Sequence, residues 1–394
     1  MSEHGETPAR DVLGQVAERT NLREGPEGVR AVLRALHDGG TLGTRDIAEA
    51  ARLPLPIVAA IRGELAKLGL VEKRDRGAGL TLQGETFAAE LFGNTPTNQP
   101  PDTSSPDTTD AEFLRELGDI AGRRPAADPT LDQAKATPAT LARRVAYFAT
   151  NDGITGRKVV CIGDDDFTSA AIAAWSVREE ARGNAVAPKR LCALDIDERI
   201  VDALGDGVDA RVWNACDVVP EGLVGAFDVV ITDPPYTPAG AELFLSRAID
   251  LVGARAGAHC FLSFGHSDPA TMRRVQASLA EMGWVIVEWR PSFNAYEGGT
   301  VIAGTSLMAH LILAPDAKPI VTGHYEGTLY TADARPMIRA YRCKSCRAEW
   351  SVGPNQRWAT IEELKNAGCP SCSGKTFDRI GQRPAGTAST ETVS

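Results

Sequence analysis

Residues 158–181, KVVCIGDDDFTSAAIAAWSVREEA, read as a short apolar strand, an acidic turn and a helix rich in small apolar residues. A strand without polar alternation belongs to a sheet covered on both faces, and a helix that follows directly is the crossover of a parallel unit. The alternation continues with RLCALDID (190–197), DARVWNACD (209–217), FDVVITDPPY (227–236) and AHCFLSF (258–264) as further strands. WVIVEW (284–289) and SLMAHLILA (306–314) complete the series, joined by a loop that predicts an antiparallel pair. The pattern predicts an α/β domain over 131–338 with a doubly wound, Rossmann-like sheet.

In such sheets ligands sit at the carboxyl ends of the strands, near the point where strand order reverses. Three acidic signals fall there. The first strand ends in Gly163-Asp164-Asp165-Asp166, the second in Asp195-Ile196-Asp197 and the third in Asp217. Carboxylates after the second strand can accept ribose hydroxyls, and Asp217 lies where an adenine edge would be. The fourth strand ends in Asp233-Pro234-Pro235-Tyr236. Its prolines fix the backbone and remove two donors, which leaves rigid carbonyls near a ligand. Asp233 suits a substrate amine, and Tyr236 offers a flat wall for cation–π contact. Three adjacent carboxylates repel one another and raise their own pKa values unless a cation compensates them, so GDDD suits a metal or a polycation.

Outward from this domain, residues 1–92 are expected to form a winged helix-turn-helix: VRAVLRALHDGG, then TRDIAEAA, then a third helix from Pro56 to Gly69 with Val58, Ile61, Leu65 and Leu68 on one face. LVEKRDRGAGLTLQGE supplies the two strands of a wing. The segment carries 12 Lys and Arg against 14 Asp and Glu. DNA binding is therefore disfavoured, though it stays open through this element, and a domain-packing or dimerisation role is preferred. GNTPTNQPPDTSSPDTTD (93–110) has no aliphatic or aromatic side chain to bury, and a flexible linker is expected over 93–130. Residues 339–380 hold Cys343, Cys346, Cys369 and Cys372 as two CxxC pairs, the spacing of a small zinc ribbon with a closed, structural four-thiolate site. The polar tail 381–394 is expected to be disordered.

The 394 residues carry a net charge of −10 and no apolar run near the ~18 residues of a membrane span. The N-terminal MSEHGETPARD has no signal-peptide core. A cytoplasmic protein with no membrane partner is expected, and a homodimer is compatible with the sequence.

GDDDFTS (163–169), ALDIDERIV (193–201) and TDPPYTP (232–238) resemble the branched-chain polyamine synthase family, the N4-bis(aminopropyl)spermidine synthases. LDQAKATPATLARRVAYF (131–148) and NAYEGGT (294–300) are similar too, so the resemblance covers about residues 130–315 and the winged-helix arrangement. It implies a class I methyltransferase-type sheet and an aminopropyltransferase that uses decarboxylated S-adenosylmethionine as co-substrate and a polyamine as acceptor. It further implies Asp166 as the main base with Asp165 assisting, Asp233 on the attacking nitrogen, and Asp164 on flanking ammonium groups. Asp195 would hold the ribose and Asp217 the adenine, with Gly163, Pro234, Pro235 and Tyr236 lining the nucleoside site. Tyr296 and Glu297 would cap the polyamine channel. The chain departs from the family at Phe167, where an aliphatic residue is usual, and in its C-terminal cysteine module. The other readings are a methyltransferase that uses S-adenosylmethionine on an amino group, and a polyamine-sensing regulator. Three aspartates would repel the carboxylate of S-adenosylmethionine, which favours the decarboxylated donor.

Overall fold

The computed structural model describes residues 8–22, 24–51, 53–75, 77–93, 110–128, 131–297, 304–329, 337–353, 356–358 and 360–384. The described residues form two compact units, one drawn from Met1–Ala127 and Gln133–Gly327, the other from Asp128–Asp132 and Thr328–Ser394.

The first unit opens with helices α1 (Pro8–Arg19), α2 (Gly25–Gly39), α3 (Thr44–Ala51) and α4 (Leu55–Lys67), a wing of β1 (Val71–Arg74) and β2 (Gly77–Leu80), and α5 (Leu82–Phe92). Val58, Ile61 and Leu65 of α4 pack with Val32, Leu33, Leu36 and Ile47, as the apolar stripe requires. The helices α1 and α5 were not anticipated. Residues 94–109 of the expected linker and 385–394 of the expected tail lie outside the described residues.

Two boundaries need correction. Residues 111–122, placed in the linker, form α6 (Ala111–Gly122). Its Phe113, Leu117, Ile120 and Ala121 make a buried stripe at helical spacing, and the Asp110 carboxylate accepts the Phe113 N–H at its start. Residues 381–384, placed in the tail, belong to a strand of the second unit.

The central sheet and the helices that cover it are α7 (Pro138–Thr150), β3 (Lys158–Ile162), α8 (Thr168–Ala181), β4 (Arg190–Asp195), α9 (Glu198–Ala203), β5 (Asp209–Val212), β6 (Val229–Thr232), α10 (Pro238–Val252), β7 (His259–Gly265), α11 (Pro269–Met282), β8 (Trp284–Ala295) and β9 (Thr305–Leu313). The strand order is β5-β4-β3-β6-β7-β9-β8. β5, β4, β3, β6 and β7 run parallel; β9 is antiparallel to β8, as expected, and also to β7. The order reverses between β3 and β6, so the GDDD and DPPY loops leave adjacent strands at the switch point.

The winged helix and the sheet join through buried ion pairs at the opposite, amino ends of the strands. Asp152 receives Arg30 of α2 (2.8 Å) and Arg157 before β3 (2.6 Å), and it also meets Arg34. Arg157 donates a bidentate pair to Glu27 of α2, both bonds at 2.7 Å. The Asp152 carboxyl sits well below its ordinary range: burial opposes this, but the three arginines outweigh it.

The second unit is a three-stranded sheet of β10 (Met337–Cys343), β11 (Glu349–Val352) and β12 (Phe377–Pro384), with α12 (Ile361–Ala367). Val352, Trp358 and Leu364 form its small core. The four predicted cysteines converge, with their sulfurs all within 4.8 Å of one another.

Candidate active site

β3 ends and Gly163 turns the chain at φ 69°, a left-handed conformation that favours glycine. The three carboxylates that follow diverge. Asp164 bends back onto α8, where it accepts the Ser169 N–H (3.2 Å) and the Ser169 hydroxyl. This anchors the helix start where Phe167, the residue before α8, is left-handed (φ 62°) and offers no side-chain cap. The Phe167 ring is fully buried, so the departure from an aliphatic residue there is a packing matter. Asp165 is half-buried and accepts the Ala134 N–H at 3.1 Å. Asp166 is buried with both oxygens taken: Oδ1 accepts the Ala136 N–H (2.5 Å) and Oδ2 accepts Arg144 (2.7 Å).

Across the switch point stands Asp233. Its Oδ2 accepts the Tyr296 hydroxyl at 2.6 Å and Arg144 at 3.0 Å. Its Oδ1 is buried and accepts from no group among the described residues. The Tyr236 hydroxyl donates to the Tyr296 oxygen at 2.9 Å. The Tyr236 ring lies against Phe264 and over Gly265, where a Cβ would stand 2.2 Å from it, so glycine is required.

Burial dominates the electrostatics. It pushes the Asp164 carboxyl up to about 7 against the Ser169 hydrogen bonds, with Asp195 and Asp166 adding to the rise. Burial first, then Asp166, Asp195, Asp233 and Asp164, drives Asp165 well above the carboxylate range. Asp195 and Asp233 are raised by burial as well, and for Asp233 Arg144 partly opposes it. Of these five carboxylates, only Asp166 and Asp233 pair with an arginine, Arg144. A site of this kind is short of positive charge.

Other anticipated residues fall as follows. Asp195 is buried at the end of β4, and its oxygens accept the N–H groups of Asp164 and Asp197, both at 2.8 Å. Each oxygen keeps a second lone pair for a hydroxyl. Asp217 is exposed beyond β5 and meets His324 at 2.9 Å, away from the buried cluster. Pro234 and Pro235 are buried, and the Pro235 carbonyl accepts the Thr237 N–H (2.7 Å). Tyr296, expected as a cap, is buried, and its hydroxyl lies inside the network. Glu297 is half-exposed and pairs with Arg124 at 2.8 Å. Residues 298–303 of the same loop lie outside the described residues.

Arg144 was not anticipated. The signal was present: it lies on α7 among Leu141, Ala142, Val145 and Phe148, a lone cation in an apolar helical stripe. Ser263, Asn294 and Ser306, which complete the network, give no sequence signal. The exposed apolar side chains Ile196 and Val218, beside Asp195 and Asp217, were also missed.

The mostly parallel sheet, with its order reversed at the switch point, defines a Rossmann-like domain of the class I methyltransferase type, with acidic loops at its ligand-binding edge. The family model of the branched-chain polyamine synthase A C-terminal domain matches residues 112–347. An N(4)-bis(aminopropyl)spermidine synthase of Thermus thermophilus is 31% identical over 73% of this chain and 83% of that protein. The chain belongs to the branched-chain polyamine synthase family. An uncharacterized protein of Methanocaldococcus jannaschii is 32% identical over 94% of this chain and 92% of its own length. Among solved structures, the branched-chain polyamine synthase from Thermus thermophilus, in complex with N4-aminopropylspermidine and 5'-methylthioadenosine, matches with TM-score 0.50 and 26% identity. The match covers 82% of this chain and 98% of that one.

Proposed function

We propose that this chain transfers aminopropyl groups from decarboxylated S-adenosylmethionine to spermidine or a related polyamine, giving branched polyamine and methylthioadenosine. The observation that carries this reading is the carboxylate cluster at the switch point, with Asp233 Oδ1 buried and unpartnered beside one fully engaged arginine. A polycation with a sulfonium co-substrate supplies the positive charge that cluster lacks. The Thermus relative bound to N4-aminopropylspermidine and methylthioadenosine, the two compounds that one aminopropyl transfer to spermidine yields, supports the same reaction.

The chemistry asks little covalent work of the protein. The sulfonium activates the attacked methylene, and the secondary amine must arrive neutral. An amine with a pKa like that of lysine must lose about 3 pKa units' worth of proton affinity at pH 7, roughly 4 kcal/mol. Asp233 Oδ1 would hold the attacking nitrogen. Asp165, whose proton affinity is raised by burial, would receive the proton as the nitrogen–carbon bond forms and the carbon–sulfur bond breaks. Asp166 was the first choice for this base, but both its oxygens are occupied, so it serves better as the counter-ion of Arg144. Asp164 likewise anchors α8 and is not proposed for an ammonium group. Asp195 would hold the ribose, with Ile196 against the base and Asp217 open to an exocyclic amine.

The four cysteines suit zinc. A tetrahedron with 2.3 Å arms has edges of about 3.8 Å. The Cys343–Cys372 and Cys346–Cys369 sulfurs lie 3.6 Å apart, and the Trp350 N–H reaches Cys369 at 3.3 Å. With four protein ligands such an ion would be structural.

Mass spectrometry of products from spermidine and decarboxylated S-adenosylmethionine tests the reading, with S-adenosylmethionine as competing donor. Addition of one or two aminopropyl units is expected. Methyl transfer at a comparable rate would refute it.

A further inference from the structure

We propose that Arg144 is a positioning residue, which holds Asp233 by one oxygen so that the other is left for the substrate amine. The proposal rests on the aminopropyl-transfer reading for the identity of the amine.

The geometry separates this role from ligand binding. Arg144 is 2% exposed, and its five N–H groups meet six acceptors. Nε donates to Asn294 Oδ1 (2.9 Å). Nη1 donates to Asp166 Oδ2 (2.7 Å) and Thr168 Oγ1 (3.0 Å). Nη2 donates to Asp233 Oδ2 (3.0 Å), Ser263 Oγ (3.2 Å) and the Tyr296 hydroxyl (3.3 Å). No donor remains for a substrate. The acceptors come from the loops after β3 and β6, from the start of α8, and from β7, β8 and the residue that follows it. One planar group therefore fixes the distance between the GDDD and DPPY loops.

Two consequences follow for Asp233. Its Oδ2 is held by Arg144 and Tyr296, which sets the carboxylate plane and leaves Oδ1 alone. Its charge is also set here. Burial, Asp165 and Asp166 favour the protonated form, while Arg144 and the hydroxyls of Tyr296 and Tyr236 favour the ionised one. A lysine has one nitrogen and no rigid fork, so it keeps the charge and loses the spacing. A methionine keeps the bulk and loses both.

The test compares wild type, Arg144→Lys and Arg144→Met by steady-state kinetics across pH and by calorimetric titration with spermidine in two buffers of different ionisation heat. Arg144→Lys should lose roughly 10²-fold in kcat, as expected for misplacement of a reacting group by ~1 Å, with less change in the spermidine KM. Its acidic limb should stay near that of wild type. Arg144→Met should move the acidic limb to higher pH and release about one more proton on binding spermidine, because Asp233 starts protonated. Should Arg144→Met fail to fold, Arg144→Lys alone decides. Wild-type kcat in Arg144→Lys overturns the proposal, as does an unshifted limb and proton count in a folded Arg144→Met. A wild type that binds spermidine without forming an adduct refutes the aminopropyl reading and leaves the proton count to judge Arg144. A wild type that does not bind spermidine overturns both.

Discussion

The two ends of the central sheet each bury a cluster of charged side chains, and only one cluster is balanced. At the amino ends, Asp152 and Glu27 meet Arg30, Arg34 and Arg157, with His259 alongside, and Asp152 is surrounded by donors. At the carboxyl ends, Arg144 pairs with Asp166 and Asp233, while Asp164, Asp165 and Asp195 accept only uncharged N–H and hydroxyl donors, and one Asp233 oxygen has no partner among the described residues. Burying a charge is tolerated where a partner compensates it and costly where none does. The balanced cluster is complete within the chain and reads as architecture, tying the winged helix to the sheet. The unbalanced one is where the proposed polyamine would supply the missing charge.

The comparison breaks most sharply on paired substitutions. Asp233→Asn should lower kcat by about 10²–10⁴-fold with a melting temperature close to wild type, because it removes a reacting group from a site that is under strain when empty. Asp152→Asn should do the reverse. It takes the counter-ion from the buried Arg30 and one of two from the buried Arg157, and should cost roughly 3–5 kcal/mol in denaturant unfolding, with kcat per folded molecule little changed. If Asp152→Asn loses activity while stability holds, the two ends are not separable.

A smaller effect distinguishes the ends by the sign of their pH dependence. The Asp164 carboxyl is raised to about 7 in the fold. Its contribution to stability is complete below its unfolded value of about 4 and is lost as pH rises through about 7. His259 is lowered to about 3 by burial and Arg157, so its contribution is complete above about 6.5 and is lost as pH falls toward 3. Unfolding free energies of wild type and Asp164→Asn across this range should therefore diverge, with the variant gaining on wild type as pH rises. Parallel curves would remove Asp164 from the account.

The smallest effect on turnover is expected from the second unit, where four cysteine sulfurs converge within 4.8 Å. Cys343→Ser should abolish the retention of about one zinc per chain and open the 337–384 segment to proteolysis, while spermidine turnover falls less than the metal content. A metal-free, protease-resistant module would contradict a structural zinc site.

Much of this was legible in the sequence. The apolar strands, the helix 168–181 and the antiparallel last pair follow from patterning, and the acidic turns follow from where those strands end. What escaped was set by tertiary contact. α6 was hidden because the polar composition of 93–110 was carried on to 130. The roles of the three GDDD aspartates differ only through their partners: Ser169 for Asp164, Ala134 for Asp165, Ala136 and Arg144 for Asp166. Three of these bonds come from backbone N–H groups, of Ser169, Ala134 and Ala136, which carry no sequence signal. Tyr296 read as a rim residue because a loop position says nothing of which way the ring turns.

The central claim is that the unbalanced carboxylates, and not the acidity of the chain as a whole, recruit the polyamine. Calorimetric titration of spermidine at about pH 7.5 into wild type, Asp152→Asn and the double variant Asp165→Asn/Asp233→Asn tests it most directly. Asp152→Asn removes negative charge from the chain, so a general field effect would weaken it as well. The account predicts an affinity for Asp152→Asn equal to wild type and a loss of at least about tenfold in the double variant, or ~1.4 kcal/mol. Equal affinity in all three proteins would contradict it.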